Sequence, residues 1–291
     1  MTGRADAVTD AGPGPVPTDN FVSDLDITEL LVSEQRCLVM APATEELRRG
    51  GAALLGAVAT MVDVGASHPA MIASRPGWIT TQDLSVHSTG IAVEGPIVVD
   101  CRLARAGSKV VTVSAAGYDC RGLSDVEAVL GALDEAASLT ALAKSLITFA
   151  RIPRSAAPGM DGYDPRQWIG EVRRMPAVAS PATVGQRMGV EVIDAGSGRL
   201  QLQRRPYLTN SIGTILGGAQ FMLAALAAER AQPGRQTLDL QMHFLAQVKV
   251  GPAHTRVEVV RAGVDHRVLS VEVLDAGDGG RVLSMATVTL T

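Results

Sequence analysis

Asp63 is a carboxylate placed where a carboxylate is expensive. It follows directly on the apolar run Ala52–Val62, and burying its charge costs several kcal/mol unless it is hydrogen-bonded or wet. A structural reading would bond Asp63 to nearby backbone. A chemical reading makes it a general base or a nucleophile. A second unusual segment, Asn210-Ser211-Ile212-Gly213-Thr214-Ile215-Leu216-Gly217-Gly218, leads into another apolar stretch. Glycine at 217 and 218 lets a ligand approach the backbone closely, and free N–H groups at a helix start favour negative charge. The plainer reading of the same glycines is a tightly packed turn. Thr81 stands on a strand, sharing a face with Asp83, Ser85 and His87 by simple alternation. Threonine is ordinary in strands, so it gains interest only beside the acid.

These residues recur within a chain that repeats itself. Thr81-Gln82-Asp83-Leu84-Ser85-Val86-His87 matches Thr237-Leu238-Asp239-Leu240-Gln241-Met242-His243 at an offset of 156. The same offset carries Gly95-Pro96 onto Gly251-Pro252, Arg105-Ala106-Gly107 onto Arg261-Ala262-Gly263, and Asp119 onto Asp275. Upstream the offset is 162, pairing Gly51 with Gly213 and Gly56 with Gly218. The six extra residues fall between Ser67 and Ile79, where a surface loop is expected.

Each copy reads as a short strand (around Cys37–Ala41 and Leu200–Gln203), then an apolar helix (about Ala52–Ser67 and Gly218–Ala231), then three strands. In copy one these are Thr80–His87, Pro96–Ala104 and Val110–Tyr118; in copy two, Thr237–Phe244, Ala253–Val260 and Val268–Leu274. Closing strands are expected at Ala143–Arg151 and Leu283–Thr291. Copy one carries an insertion, about 124–140, with helical spacing and Ser124 as candidate N-cap. Tyr163–Arg174 has the composition of a short helix. The helices lack a polar face, so they should be buried. The expected fold class is therefore α+β: two tandem units, 21–152 and 183–291, each a mostly antiparallel sheet wrapped round a central helix. A disordered tail, 1–20, precedes them, and a Pro/Gly/Arg/Ser-rich linker, 153–182, joins them.

The repeat supplies an internal control. Asp63 corresponds to Ala225, so the fold itself does not demand an acid there. Asn210 corresponds to Arg48 and Gly217 to Leu55. Copy one has the acid without the glycine cradle, and copy two has the cradle without the acid. His87 and His243 occur in both copies, which points to structure. His68, His254 and His266 occur once each and are expected in solvated loops or turns. Glu229, one turn beyond Ala225, reads as a helix-end charge.

Composition excludes several classes. Hydrophobic residues make up 46% of the 291, but aromatics only 3%, so the core must be aliphatic. A net charge of −4 gives no reason to expect nucleic acid or anionic membrane as partner. Three scattered cysteines make neither a disulfide framework nor a zinc site. No signal peptide is recognisable at the N-terminus, and a cytoplasmic location is expected. GxSxG, Walker A, GxGxxG, CxxC and HExxH patterns are missing from the sequence.

Asn210, Gly213 and Gly217-Gly218, with a helix acid fifteen positions beyond the Asn in the aligned frame, resemble the acyl-CoA thioesterases of the hot-dog superfamily. The phenylacetate-pathway and 4-hydroxybenzoyl-CoA type is the most similar. The resemblance spans both copies apart from the tail, the insertion and the linker. It implies a tandem (double) hot-dog paired within the chain, helices side by side and sheets continuous. It also implies one composite site: Asn210 and Gly217 from copy two face Asp63 and Thr81 from copy one as catalytic residues, with Gly213 and Gly218 binding substrate. The opposite set, Arg48, Leu55, Ala225 and Thr237, lacks the acid and would be inactive. No metal or other cofactor is implied, coenzyme A being part of the substrate, and the implied assembly is a homodimer of double hot-dogs. The family often has His before the glycine pair, where this chain has Leu216 and Leu54. The same superfamily hosts non-catalytic acyl-CoA binders and enoyl-CoA hydratases. A pure binder has no use for a buried acid, and the Asp–His pattern that hydratases resemble is not found at Asp63.

Overall fold

The computed structural model describes residues 19–49, 51–135, 139–178, 180, 182 and 184–291. The expected tail lies outside them up to residue 18. The chain is held at Asn20, which is buried and accepts hydrogen bonds from the Val22 and Ser23 N–H groups.

A hairpin of β1 (Ile27–Ser33) and β2 (Arg36–Ala41) opens the fold. A two-residue ladder, β3 (Arg48–Arg49) with β4 (Ala52–Ala53), leads into helix α1 (Leu55–Ser74). Strands β5 (Trp78–Ser88), β6 (Ile97–Ala106) and β7 (Val110–Asp119) follow, then helix α2 (Val126–Asp134) and strand β8 (Thr140–Ile152). The connecting segment holds β9 (Val172–Met175) and a single-turn helix α3 (Val184–Met188). Then come β10 (Glu191–Asp194), β11 (Arg199–Leu202), helix α4 (Gly217–Ala231), β12 (Thr237–Phe244), β13 (Ala253–Ala262), β14 (Arg267–Asp275) and β15 (Arg281–Leu290).

Thirteen strands form one sheet in the order β10-β11-β13-β14-β15-β12-β5-β8-β7-β6-β2-β1-β9. Read outward from the β12–β5 contact, both wings run through equivalent strands. The seam is antiparallel and symmetric about Ser85 and Gln241, with His87 opposite Asp239 and Asp83 opposite His243. His87 Nδ1 lies 2.6 Å from Asp239 Oδ2 across it. α1 and α4 pack side by side against the inner face of this sheet. Gly56 sits against Met222, where an added Cβ would lie 2.9 Å from the Met222 Cα. Gly218 sits against Thr60, where it would lie 2.3 Å from the hydroxyl oxygen. Both contacts obey the offset of 162, so the glycine pair read from the sequence is the place where the two helices touch.

The offset of 156 also has a physical meaning. Asp119 is buried and accepts from the Glu94 and Gly95 N–H groups. Asp275, 1% exposed, accepts from Lys249, Val250, Gly251 and Gly277. Each acid ties a turn to the end of a strand. Replacing Asp275 by Ala would orphan several enclosed N–H groups. A loss on the order of 3–5 kcal/mol is expected from urea unfolding, against under 1 kcal/mol for exposed Asp265→Ala.

Several expectations need correction. The six extra residues of copy one do not make a loop. They extend α1 to Ser74, through Pro69, until the Arg75-Pro76 step ends it. His68 is therefore not in a solvated loop but on a buried helix face at 5% exposure. His254 lies in β13, bonded to Gln201. The N-cap of α2 is Asp125, whose carboxylate accepts from Ala128 N–H, rather than Ser124. Residues 136–138 of that insertion lie outside the described residues. Tyr163–Arg174 forms a 3-10 turn at Pro165–Trp168 and then β9, which adds to the sheet edge beside β1. Strands β1 and β10 were not expected; each completes a hairpin with a strand that was, β2 and β11. Among the described residues no helix is long and apolar enough to cross a membrane.

Candidate active site

Asp63 stands two turns into α1, facing the first turn of α4. A Cβ built on Gly217 would lie 3.0 Å from Asp63 Oδ2 and 3.4 Å from the Phe244 ring. A side chain at 217 would therefore crowd the carboxylate. Gly217 is the first residue of α4, and helix geometry leaves its N–H without an intrahelical acceptor.

Thr81 donates its hydroxyl to Asp63 Oδ1 at 2.8 Å. Simple alternation would turn Thr81 away from the helix, onto the face of Asp83, Ser85 and His87. A bulge at Gln82 corrects this: Thr81 pairs with Phe149 and Asp83 with Thr148, so two residues of β5 span one step of β8. Thr81 thereby joins Leu84 and Val86 on the inner face. An equivalent register shift lies between Thr237 and Asp239.

Asn210 shapes the loop before α4. Its Oδ1 accepts from the Ile212 and Thr214 N–H groups, and its backbone pairs with Thr214 and Gly213. With that oxygen engaged, the Nδ2 amide is the part of Asn210 that can serve a ligand, as a donor. Gly213 takes φ +74 in this turn, and its carbonyl accepts from Arg204. Asp63, Thr81, Asn210 and Gly217 line one cavity of about 1160 Å³. Gly213 and Gly218, expected to touch substrate, do not line it; the first forms the turn and the second packs on Thr60.

Burial pushes the Asp63 carboxyl up from 3.8 to about 6; the Thr81 hydroxyl and the Gly218 N–H pull the other way and are outweighed. A carboxyl poised near 6 is a competent proton acceptor at neutral pH.

The related position in the other half is nearly closed, at about 50 Å³. Leu54 and Leu55 fill it in place of Leu216 and Gly217, and Ala225 replaces the acid. Glu229 is not merely a helix-end charge: its Oε1 accepts from both the N–H and the hydroxyl of Thr237. Arg48 bonds to the Val93 carbonyl and to Glu45.

Much of the cavity wall was not foreseen. Five of the nine aromatic residues line it, namely Trp78, Phe149, Tyr163, Trp168 and Phe244, so the scarce aromatics concentrate at the cavity. Tyr163, Trp168 and Arg173 come from the segment read as a linker. Glu29 of β1 also lines the cavity, 3% exposed, 3.4 Å from Arg173 and 3.8 Å from His68. The available signal was the alternation Ile27-Glu29-Leu31, a charge on an otherwise inward face. Among the described residues no group of three or more His, Cys, Asp or Glu side chains could hold a metal ion.

Solved structures similar to this chain identify the architecture. An acyl-CoA thioesterase II from Mycobacterium marinum shares 11% identity over 93% of this chain and 95% of its own, with a TM-score of 0.52. An acyl-ACP thioesterase from Bacteroides thetaiotaomicron shares 11% over 89% and 100%, at 0.55. A protein of Alicyclobacillus acidocaldarius described as having a hot dog fold shares 12% over 93% and 96%, at 0.56. The chain thus has the hot-dog fold. Residues 206–291, covering α4 and β12–β15, match the family model described as acyl-CoA thioesterase N-terminal domain. No curated protein matches the chain.

Proposed function

We propose that the protein hydrolyses acyl-CoA thioesters at one composite site, between two tandem hot-dog units paired within the chain. The observation that carries this reading is the Asp63 carboxylate lodged against Gly217 at the start of α4. An acid from one half and the Gly217 N–H from the other converge on one cavity. The thioester carbonyl oxygen would rest on the Gly217 N–H, at the positive end of α4, where the developing oxyanion is stabilised. Asp63 takes a proton from a water that attacks the carbonyl carbon. Thr81 holds the carboxylate, and the Asn210 amide donates to the water or to the acyl oxygen. The carbon–sulfur bond then breaks, and the proton on Asp63 passes to the departing coenzyme A thiolate. Free acid and thiol result, with no metal or redox cofactor in the scheme. Direct attack by Asp63 would give an anhydride that water then opens, with the same products.

Thiol release from a panel of acyl-CoA esters tests the activity. Tight binding without thiol release would make the protein a carrier instead.

The composite arrangement has its own test. A fragment ending at Val178 holds Asp63 and Thr81, and one beginning at Val184 holds Asn210 and Gly217. Each alone is expected to pair with itself, because β5 or β12 would otherwise present an open edge. Neither self-pair contains acid and cradle together. Co-refolding the two should restore turnover, and full activity of the first fragment alone would sink the composite site.

The whole chain is further proposed to form a homodimer. Leu146 on β8 and Met285 on β15 flank the seam on the outer sheet face, 49% and 41% exposed. Sedimentation should give twice the mass of 30.3 kDa; a monomer at all concentrations would refute it.

A further inference from the structure

The cavity contains a second polar centre that hydrolysis does not use. Glu29 lies on β1, on the same face as Ile27 and Leu31, and its side chain is almost wholly enclosed. Arg173 and His68 approach its Oε2, at 3.4 and 3.8 Å. Its Oε1 is enclosed and has no hydrogen-bond partner among the described residues. His68 Nδ1 lies 3.2 Å from the Val64 carbonyl one turn back along α1. A carbonyl only accepts, so Nδ1 carries the proton. The Glu29 carboxylate and His68 Nε2 thus face each other across a 3.8 Å gap, too long for a direct hydrogen bond.

Neither group can satisfy the other, and a buried carboxylate oxygen without a donor is costly. The missing partner is a donor. Because Arg173 already balances the carboxylate charge, a neutral donor fits better than a cation. The surroundings hold the pair in place: Trp168 packs edge-on to His68, with ring centres 6.4 Å apart, and the Arg173 guanidinium sits 3.9 Å over the same indole. The position relative to the reaction centre follows from the helix. Asp63 and His68 are five residues apart on α1, a rise of about 7.5 Å, and both face the one cavity. With the turn of the helix between them, the separation is on the order of 10 Å.

We propose that Glu29 and His68 form an acyl-recognition subsite that takes a hydrogen-bond donor, a hydroxyl or an amide N–H, carried on the order of 10 Å from the thioester carbonyl. The inference rests on reading the cavity as an acyl-CoA site. It makes the preferred substrate a thioester of a functionalised acid rather than of a plain hydrocarbon chain. An unsubstituted chain would leave the Glu29 oxygen unpaired beside apolar carbon, and sites built to bond a polar group discriminate strongly against analogues that lack it.

The test uses binding, so that it does not depend on turnover. In the full-length Asp63→Asn protein, octanoyl-CoA and its ω-hydroxy derivative are compared by calorimetry. The hydroxylated ester should bind about tenfold or more tightly, the range expected of one hydrogen bond to a charged group. Glu29→Leu in the same background should bring the ratio near one, and His68→Phe should narrow it. Equal affinity for the two esters with Glu29 intact overturns the proposal, whether or not the variants fold. So does a preference that survives Glu29→Leu, or failure of both esters to bind. Turnover of octanoyl-CoA by the wild-type chain, measured in parallel, reports on hydrolysis separately: a protein that binds with the stated preference but releases no thiol sinks the hydrolysis and keeps the subsite.

Discussion

Asp63→Asn is expected to lower thioester turnover by about a thousandfold while making the protein more stable at neutral pH. The first effect is the loss of the proton acceptor, in the range measured for general bases. The second follows from the sign of the shift. The folded-state value of about 6 is above the ordinary 3.8, so the charged form is disfavoured by folding. Below pH 4 Asp63 is protonated in both states and costs nothing. Between about 4 and 6 the penalty grows, and above 6 it is fully present at about 3 kcal/mol. Asparagine keeps an acceptor for the Thr81 hydroxyl and carries no charge. Urea unfolding at pH 8 should favour the variant, with the gap closing by pH 4. In the wild type, kcat/KM should climb through pH 6 and level off above it. A variant with normal turnover, or one destabilised at pH 8, would contradict the role given to Asp63.

Gly217→Ala should also be damaging, by about tenfold or more. The new methyl group would meet Asp63 Oδ2 at 3.0 Å. That contact is tighter than an ordinary one, so the carboxylate must give by a few tenths of an ångström, and its placement against the Gly217 N–H is part of the proposed geometry. The position related by the repeat gives the contrast. Leu55→Ala removes a buried side chain from the closed half-site and should cost about 2–5 kcal/mol of stability. Its turnover per folded molecule should nevertheless stay within about threefold, because Leu55 lines the closed half-site and not the large cavity. If both substitutions slow the reaction alike, the two half-sites are not functionally distinct.

The repeat made most of this legible before any coordinates. It paired Gly56 with Gly218 and Asp119 with Asp275, and each pair has one physical job in both halves. It also exposed Asp63 as an acid without a counterpart. What it could not convey was local departure from regularity. The bulge at Gln82 reverses the facing of Thr81, and alternation carries no signal for an inserted residue. The longer α1 was hidden because Pro69 and His68 look like loop residues. Glu29 and the aromatic wall were missed for another reason: the repeat places Glu29 opposite Glu191, on an exposed edge strand, and says nothing of what either glutamate meets. Their roles arise from contacts between residues far apart in the chain, Glu29 with Arg173 and His68 with Trp168.

The closed half-site has a consequence for how the protein responds to ligand concentration. Two identical half-sites would allow two ligands per pair of units, and with them communication across the seam. Here Leu54 and Leu55 occupy the second position, leaving about 50 Å³, too little for an acyl group. On the proposed function each chain then binds one ligand, and its binding within a chain is hyperbolic. Any sigmoidal dependence on substrate would have to pass between chains, through whatever surface joins them.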